Sequence, residues 1–160
     1  MTVGEHLRDV VLSATPALEA IPETDASRSP QADAWSPKQV IGHLVDSASN
    51  NHQRFVRARF KNDLVFDGYD GDAWVAAQQY ADAPWSSLVT LWREFNLHLA
   101  RVIDSTPEGI RLQARERHNL GEIAFRKLPE PPTLEAFMSD YVDHLQHHLA
   151  QVIDGYISRV

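Results

Sequence analysis

Cysteine is absent from the 160-residue chain. That absence removes disulfides, cysteine metal ligands and a cysteine nucleophile together. Any metal must be held by nitrogen and oxygen, and any thiol chemistry must take its thiol from a substrate. Basic residues are also short, with 15 Lys and Arg against 22 Asp and Glu, a formal net charge of −7. A general nucleic-acid binder shows a basic footprint, so no nucleic-acid partner is expected, although a local basic patch is compatible with this charge. No apolar run reaches the length of a membrane span. The opening MTVGEHLRDVVLS lacks the basic segment followed by an apolar one that marks a secretory signal. A cytoplasmic location is therefore the expectation. No convincing alternating strand pattern occurs either.

What is present reads as one all-α domain over residues 1–160, long enough to bury a core. Four long helices are expected. The first covers about residues 3–21, with Pro16 ending or kinking it. A polar loop over residues 22–35 follows. The second helix has the clearest start: Ser36 as cap, Pro37 at the first helical position, and Gln39 completing a capping box. It should run to about Lys61, with Val40, Leu44, Ala48 and Phe55 on its apolar face. The DGYDGD run at 67–72 is turn chemistry, without the acidic spacing of an EF-hand. A short helix over about 72–80 should follow it. The third long helix starts near Pro84 and ends before Pro107, with a core stripe of Trp85, Leu88, Trp92, Phe95, Leu99 and Val102. Residues 107–132 form a long connection rich in arginine and proline, a length that often serves function. Thr133 caps the fourth helix, which should run to about Ile157.

Histidines gather on that last helix, in DYVDHLQHHLAQ. His144 and His148 stand four apart and so share a face. Measured from the centre of the apolar face at 100° per residue, His148 lies about 70° away, His144 about 110° and His147 about 170°. His144 and His148 thus border the core while His147 points outward. The pair His144 and His147 remains geometrically possible with a rotated helix. On the second helix His43 also borders the apolar face, and facing helices of a bundle are a known place for metal sites. Two histidines from one helix and one from another leave a position open, as catalytic metal centres do. His52, His98 and His118 have no second ligand near them in sequence. Asp46, Asn50, Asp140 and Gln151 are spaced to stand behind the histidines as hydrogen-bond partners. Asn51 projects toward the apolar face and needs a buried partner.

WSPKQVIGHLVDS, followed about a hundred residues later by DYVDHLQHHLAQV, resembles the DinB-like (DinB/YfiT) superfamily of metal-dependent enzymes. The shared pattern is a histidine on the second helix, then H-x-x-x-H with a glutamine three residues on, here His43, His144, His148 and Gln151. ASNNHQRFVRARF and DGYDGDAW are also similar to one branch. The resemblance covers nearly the whole chain. It implies a four-helix bundle with long inter-helix connections, and one divalent metal ion per chain, zinc or nickel, on His43, His144 and His148. It implies a small-molecule substrate, with reactions in the family that include S-transfer from low-molecular-weight thiols. A homodimer is a further implication.

The expected function is metal-dependent transfer or hydrolysis, with Asp46 and Asn50 as candidates to orient the reacting ligand. Arginines between residues 111 and 126 are available for an anionic thiol's carboxylates. The rival is a non-catalytic helical binding or regulatory module with a structural or vestigial metal site. The two part on one feature: an enzyme needs a cavity at the open metal position, whereas a module packs that seam shut.

Overall fold

The computed structural model describes residues 1–158. In chain order its helices are α1 (Val3–Glu19), α2 (Glu23–Ala26), α3 (Pro37–Ala58), α4 (Gly71–Ala77), α5 (Trp85–Asp104), α6 (Glu108–Arg111), α7 (Leu120–Ile123) and α8 (Leu134–Val152), with a 3₁₀ turn at Tyr80–Asp82. The four long ones, α1, α3, α5 and α8, make the bundle. No strand forms among the described residues; two isolated bridges, Leu64 with His118 and Ala114 with Thr133, pin loop to loop.

Local chemistry sets the helix starts. The Ser36 amide donates to Gln39 Oε1 at 3.0 Å and the Gln39 amide returns to Ser36 Oγ at 3.4 Å, closing the expected capping box. Thr133 Oγ1 accepts from the Ala136 amide at 3.1 Å. Thr2 and Glu5 form a second capping box on α1. These contacts satisfy amides that lack partners inside the helix.

Several boundaries differ from the sequence expectation. Pro16 does not end α1, which continues to Glu19. The proline nitrogen cannot donate to Leu12, but Leu12 is 51% exposed, so water can serve its carbonyl. The loop at 22–35 contains the single turn α2. α3 stops at Ala58, where Arg59 and Phe60 close it with shorter i→i−3 bonds. α8 stops at Val152, because Ile153 is extended and Gly155 takes φ 69°. The short helix after the DGYDGD turn ends at Ala77, and the 3₁₀ turn follows.

The core holds Trp92, Phe55, Phe137, Leu99 and Ile103, each under 2% exposed. Phe95 sits half-buried on the edge of the α5 stripe, and Asn96 occupies the interior instead. Asn96 donates to the Trp92 carbonyl at 2.8 Å and accepts from the Tyr141 hydroxyl, tying α5 to α8. The 107–132 connection is sewn down rather than free. Asn119 exchanges side-chain bonds with both backbone groups of Phe66, at 3.0 and 2.7 Å. Arg115 Nη1 reaches the Lys61 carbonyl at 2.9 Å. The other arginines of this segment meet carboxylates: Arg111 pairs with Glu135, Arg117 with Asp63 and Arg126 with Asp143. No helix among the described residues is long and apolar enough to cross a membrane.

Candidate metal centre

α3 and α8 carry the histidines to their seam. His43, His144 and His148 each offer one ligand atom, and those atoms lie within 4.8 Å of one another. His43 Nε2 and His144 Nε2 stand 3.3 Å apart. Two nitrogens each about 2.0–2.1 Å from one tetrahedral ion would be about 3.3 Å apart, so this edge has the right length for zinc. The ring of His148 lies 4.7 Å from that of His43 and 4.6 Å from that of His144.

The outer nitrogens support the same arrangement. His148 Nδ1 meets Gln151 Oε1 at 3.0 Å, where it donates and leaves Nε2 free as a ligand. Ser47 Oγ lies 3.4 Å from His144 Nδ1. His43 Nδ1 is buried without a partner among the described residues. Its ring is backed by Gly71, where a Cβ would sit 3.3 Å from both His43 Cε1 and Nδ1. Trp35, just before the Ser36 cap, packs beside the cluster, 5.0 Å from His43 and 6.4 Å from His148 between ring centroids.

Electrostatics keep these imidazoles neutral. Burial, with the charge of His148 second, pulls the His43 pKa down to about 4. Burial and the three neighbouring histidines pull His144 down to about 3. Burial also lowers His148, against the Gln151 bond that raises it. Neutral imidazole is the form that ligates.

His147 is exposed, as the helical geometry predicts, and rests against Phe125 at 5.0 Å. Asp46 and Asn50 do not line the cavity beside the cluster. One Asp46 oxygen accepts from the Tyr80 hydroxyl and from Gln78 Nε2, each at 2.6 Å, while its other oxygen is buried without a partner among the described residues. Burial raises the Asp46 pKa, and those two bonds oppose the rise. Asn50 donates to the Asp46 carbonyl at 2.9 Å. Asp140 lines the cavity but does not bond a histidine: its two oxygens accept from the Phe125 and Arg126 amides at 2.8 and 2.7 Å. It thereby holds the turn that places Phe125 over His144, 5.5 Å ring to ring. Asn51 finds its buried partner in the Ser47 carbonyl at 3.0 Å. His52 and His98 meet across α3 and α5, 5.4 Å between rings, a tertiary pairing that sequence spacing does not reveal. No third ligand joins them among the described residues.

A cavity of about 330 Å³ opens beside His43 and His144. Ser47, Asn51, Arg54 and Tyr69 continue its wall away from the histidines, with Phe137 and Tyr141 also lining it. A second recess of about 450 Å³ reaches His148, Gln151 and Trp35. Arg54 and Tyr69 escaped the sequence reading. The signal was there in part, since Ser47, Asn51 and Arg54 follow His43 at four, eight and eleven residues along one face of α3.

Comparison with known proteins agrees with this architecture. The sequence profile of the DinB superfamily matches residues 6–152. YfiT of Bacillus subtilis (strain 168) is 22% identical over 148 residues, which span 92% of this chain and 79% of that relative. The solved structure of YfiT from Bacillus subtilis is described as "a probable metal-dependent hydrolase with an unusual four-helix bundle topology". It is similar with a TM-score of 0.74 at 21% identity, covering 94% of this chain and 81% of that one. At that identity the likeness establishes the shared fold.

Proposed function

This chain belongs to the DinB superfamily, and on that footing we propose that it is a divalent-metal-dependent hydrolase of small molecules. The observation that carries the reading is the convergence of His43, His144 and His148 at the edge of an open cavity. The relative from Bacillus subtilis bears the name "Putative metal-dependent hydrolase YfiT", which points the same way.

The donor set fits zinc or nickel. It is three imidazoles with no thiolate and no carboxylate. His43, His144 and His148 would hold the ion, which would supply Lewis acidity and the activation of water near neutral pH. The chain's own residues do the rest. Burial keeps His43 and His144 deprotonated and ready to ligate. Gln151 fixes the His148 tautomer, and Ser47 steadies the His144 ring. Phe125 and Trp35 shield the cluster from bulk water on two sides. Asp46, clamped by Tyr80 and Gln78, braces α3 one turn beyond His43 and serves as a positioning residue. The cavity argues for an enzyme over a non-catalytic module, which would fill this seam with side chains.

Elemental analysis of freshly purified, chelator-free protein tests the reading. About one divalent ion per chain is expected, lost in His144→Ala and in His148→Ala. Protein free of metal would sink it. Turnover of activated esters or amides without added thiol supports hydrolysis, whereas turnover only with an added thiol reassigns the site to S-transfer.

A further inference from the structure

Among the described residues, Arg54 is the one strongly buried cation that lines the cavity. It is 7% exposed, yet it faces the same space as His43 and His144. Its guanidinium donates, among the described residues, to two neutral oxygens: Nη2 to the Asp67 carbonyl at 2.8 Å and Nη1 to Asn51 Oδ1 at 3.4 Å. Among the described residues no carboxylate comes within ion-pair distance of it. The Asp67 carboxylate is near enough to be felt but too far to pair. Two other cations are strongly buried, and Arg115 shares with Arg54 the lack of an ion pair among the described residues, but neither lines this cavity. Lys38 is neutralised by Glu23, and Arg115 supports the Lys61 carbonyl outside the cavity.

A buried charge without an ion-pair partner is costly in any protein, and here it stands in a chain of net charge −7. Its acidic neighbour in the wall, Asp140, is committed to two backbone amides. Glu122 lies exposed at the mouth. A guanidinium has five N–H donors, so two bonds to protein leave donors for a ligand, in the planar pair that suits a carboxylate. Tyr69 flanks the group, with its ring centroid 6.0 Å from the guanidinium carbon. Eleven residues of α3 separate Arg54 from His43, a rise of about 16 Å at 1.5 Å per residue.

We propose that Arg54, with Asn51 and Tyr69 beside it, is the anion subsite of this cavity. The substrate is an elongated small molecule carrying a carboxylate at the end remote from the bond cleaved at the histidines. The assignment of the cleaved end rests on the metal-centre reading above; the anion subsite itself does not.

Calorimetric titration of the full chain tests this, in zinc-loaded and in chelator-stripped form, with hexanoate, hexanamide and hexyl phosphate. The stripped form matters because a carboxylate could otherwise bind the metal. Hexanoate should bind at least tenfold more tightly than hexanamide in both forms. Arg54→Gln should bring that ratio below twofold, and Arg54→Lys should keep part of it, since the charge survives without the fork. Absence of the preference in stripped wild-type protein overturns the proposal, as does a preference that Arg54→Gln leaves intact. Tighter binding of hexyl phosphate than of hexanoate overturns the carboxylate assignment. Where circular dichroism shows both variants unfolded, the wild-type ratio decides alone: tenfold supports the subsite and unity rejects it. Arg54-dependent binding in a protein that takes up no zinc would leave the subsite standing and remove the metal reading.

Discussion

The seam between α1 and α5 and the seam between α3 and α8 are built on opposite terms. Along the first, Leu7, Val10, Val11 and Leu18 face a bundle interior that also holds Trp92, Leu99 and Ile103, all buried. The helices approach so closely that a Cβ on Gly4 would lie 2.6 Å from the Ala100 carbonyl oxygen. Trp85 Nε1 donates across to the Leu18 carbonyl at 2.9 Å. Along the second, α3 presents His43, Ser47, Asn51 and Arg54, and α8 presents His144 and Asp140, around open space. Apolar burial stabilises by about 25 cal/mol per Å², and polar side chains lining a cavity return little of that. The closed seam supplies stability, and the open one spends it on a site.

If the two seams are separable, each can be damaged without harming the other. The largest effects come from the central residues. His144→Ala should weaken zinc binding more than 100-fold, since even partners behind the ligands are worth about 10–100-fold. Its far-UV circular dichroism should match wild type. Leu99→Ala should do the reverse, lowering the unfolding free energy by about 2–5 kcal/mol in urea titrations while zinc affinity stays within twofold. Loss of metal in Leu99→Ala, or unfolding of His144→Ala, would break the contrast.

Acid sharpens the contrast next. The folded pKa values of His43 and His144, about 4 and about 3, lie below the ordinary histidine value of about 6.5. As pH falls below that value the unfolded chain takes up protons that these folded imidazoles refuse. Their contribution to stability is therefore whole above about pH 6.5 and is lost as pH falls through 4 and 3. Burial raises Asp46 and Asp140, which slope the opposite way, so a variant is needed to isolate the histidines. Metal-free His144→Leu should lose less stability than wild type between pH 7 and pH 4.5, measured by urea midpoints. Equal losses would remove the imidazole from the account.

Gln151→Ala should reduce zinc affinity by about tenfold, the low end of the range for residues behind a ligand, because Gln151 is exposed. Calorimetry reads this directly, and an unchanged affinity would show that Gln151 does not orient His148. The smallest effect is set behind His43. In Gly71→Ala the new methyl would stand 3.3 Å from the imidazole, tight enough to shift the ring by a few tenths of an ångström. Zinc affinity should fall a few-fold with melting unchanged. Tighter binding would mean that the ring improves when pressed toward its partners.

Much of this was legible in the chain because it is local. The Ser36–Gln39 box, the Thr133 cap and the 3.6-residue stripe of α5 depend on neighbours within four residues. The pairing of His144 with His148, and the outward turn of His147, follow from the same period. Other features depend on residues far away in sequence. Pro16 is tolerated because of where Leu12 lies on the folded surface. Asp140 is spaced to support a histidine, yet it caps the turn at Phe125 and Arg126, because the 107–132 connection folds back over α8. The arginines of that connection are spent on Glu135, Asp63 and Asp143 and on the Lys61 carbonyl.

By itself, the sequence determined an all-α chain, the starts of its main helices, and which histidines border the core. Helical period and capping are short-range physics, and a single chain carries them in full. Only the tertiary structure decided that His43 meets His144 at 3.3 Å, that a cavity runs from them along α3, and that Arg54 stands in its wall with no ion pair among the described residues. Those are relations between helices, set by how side chains far apart in sequence share one volume, and no periodicity within a helix encodes them.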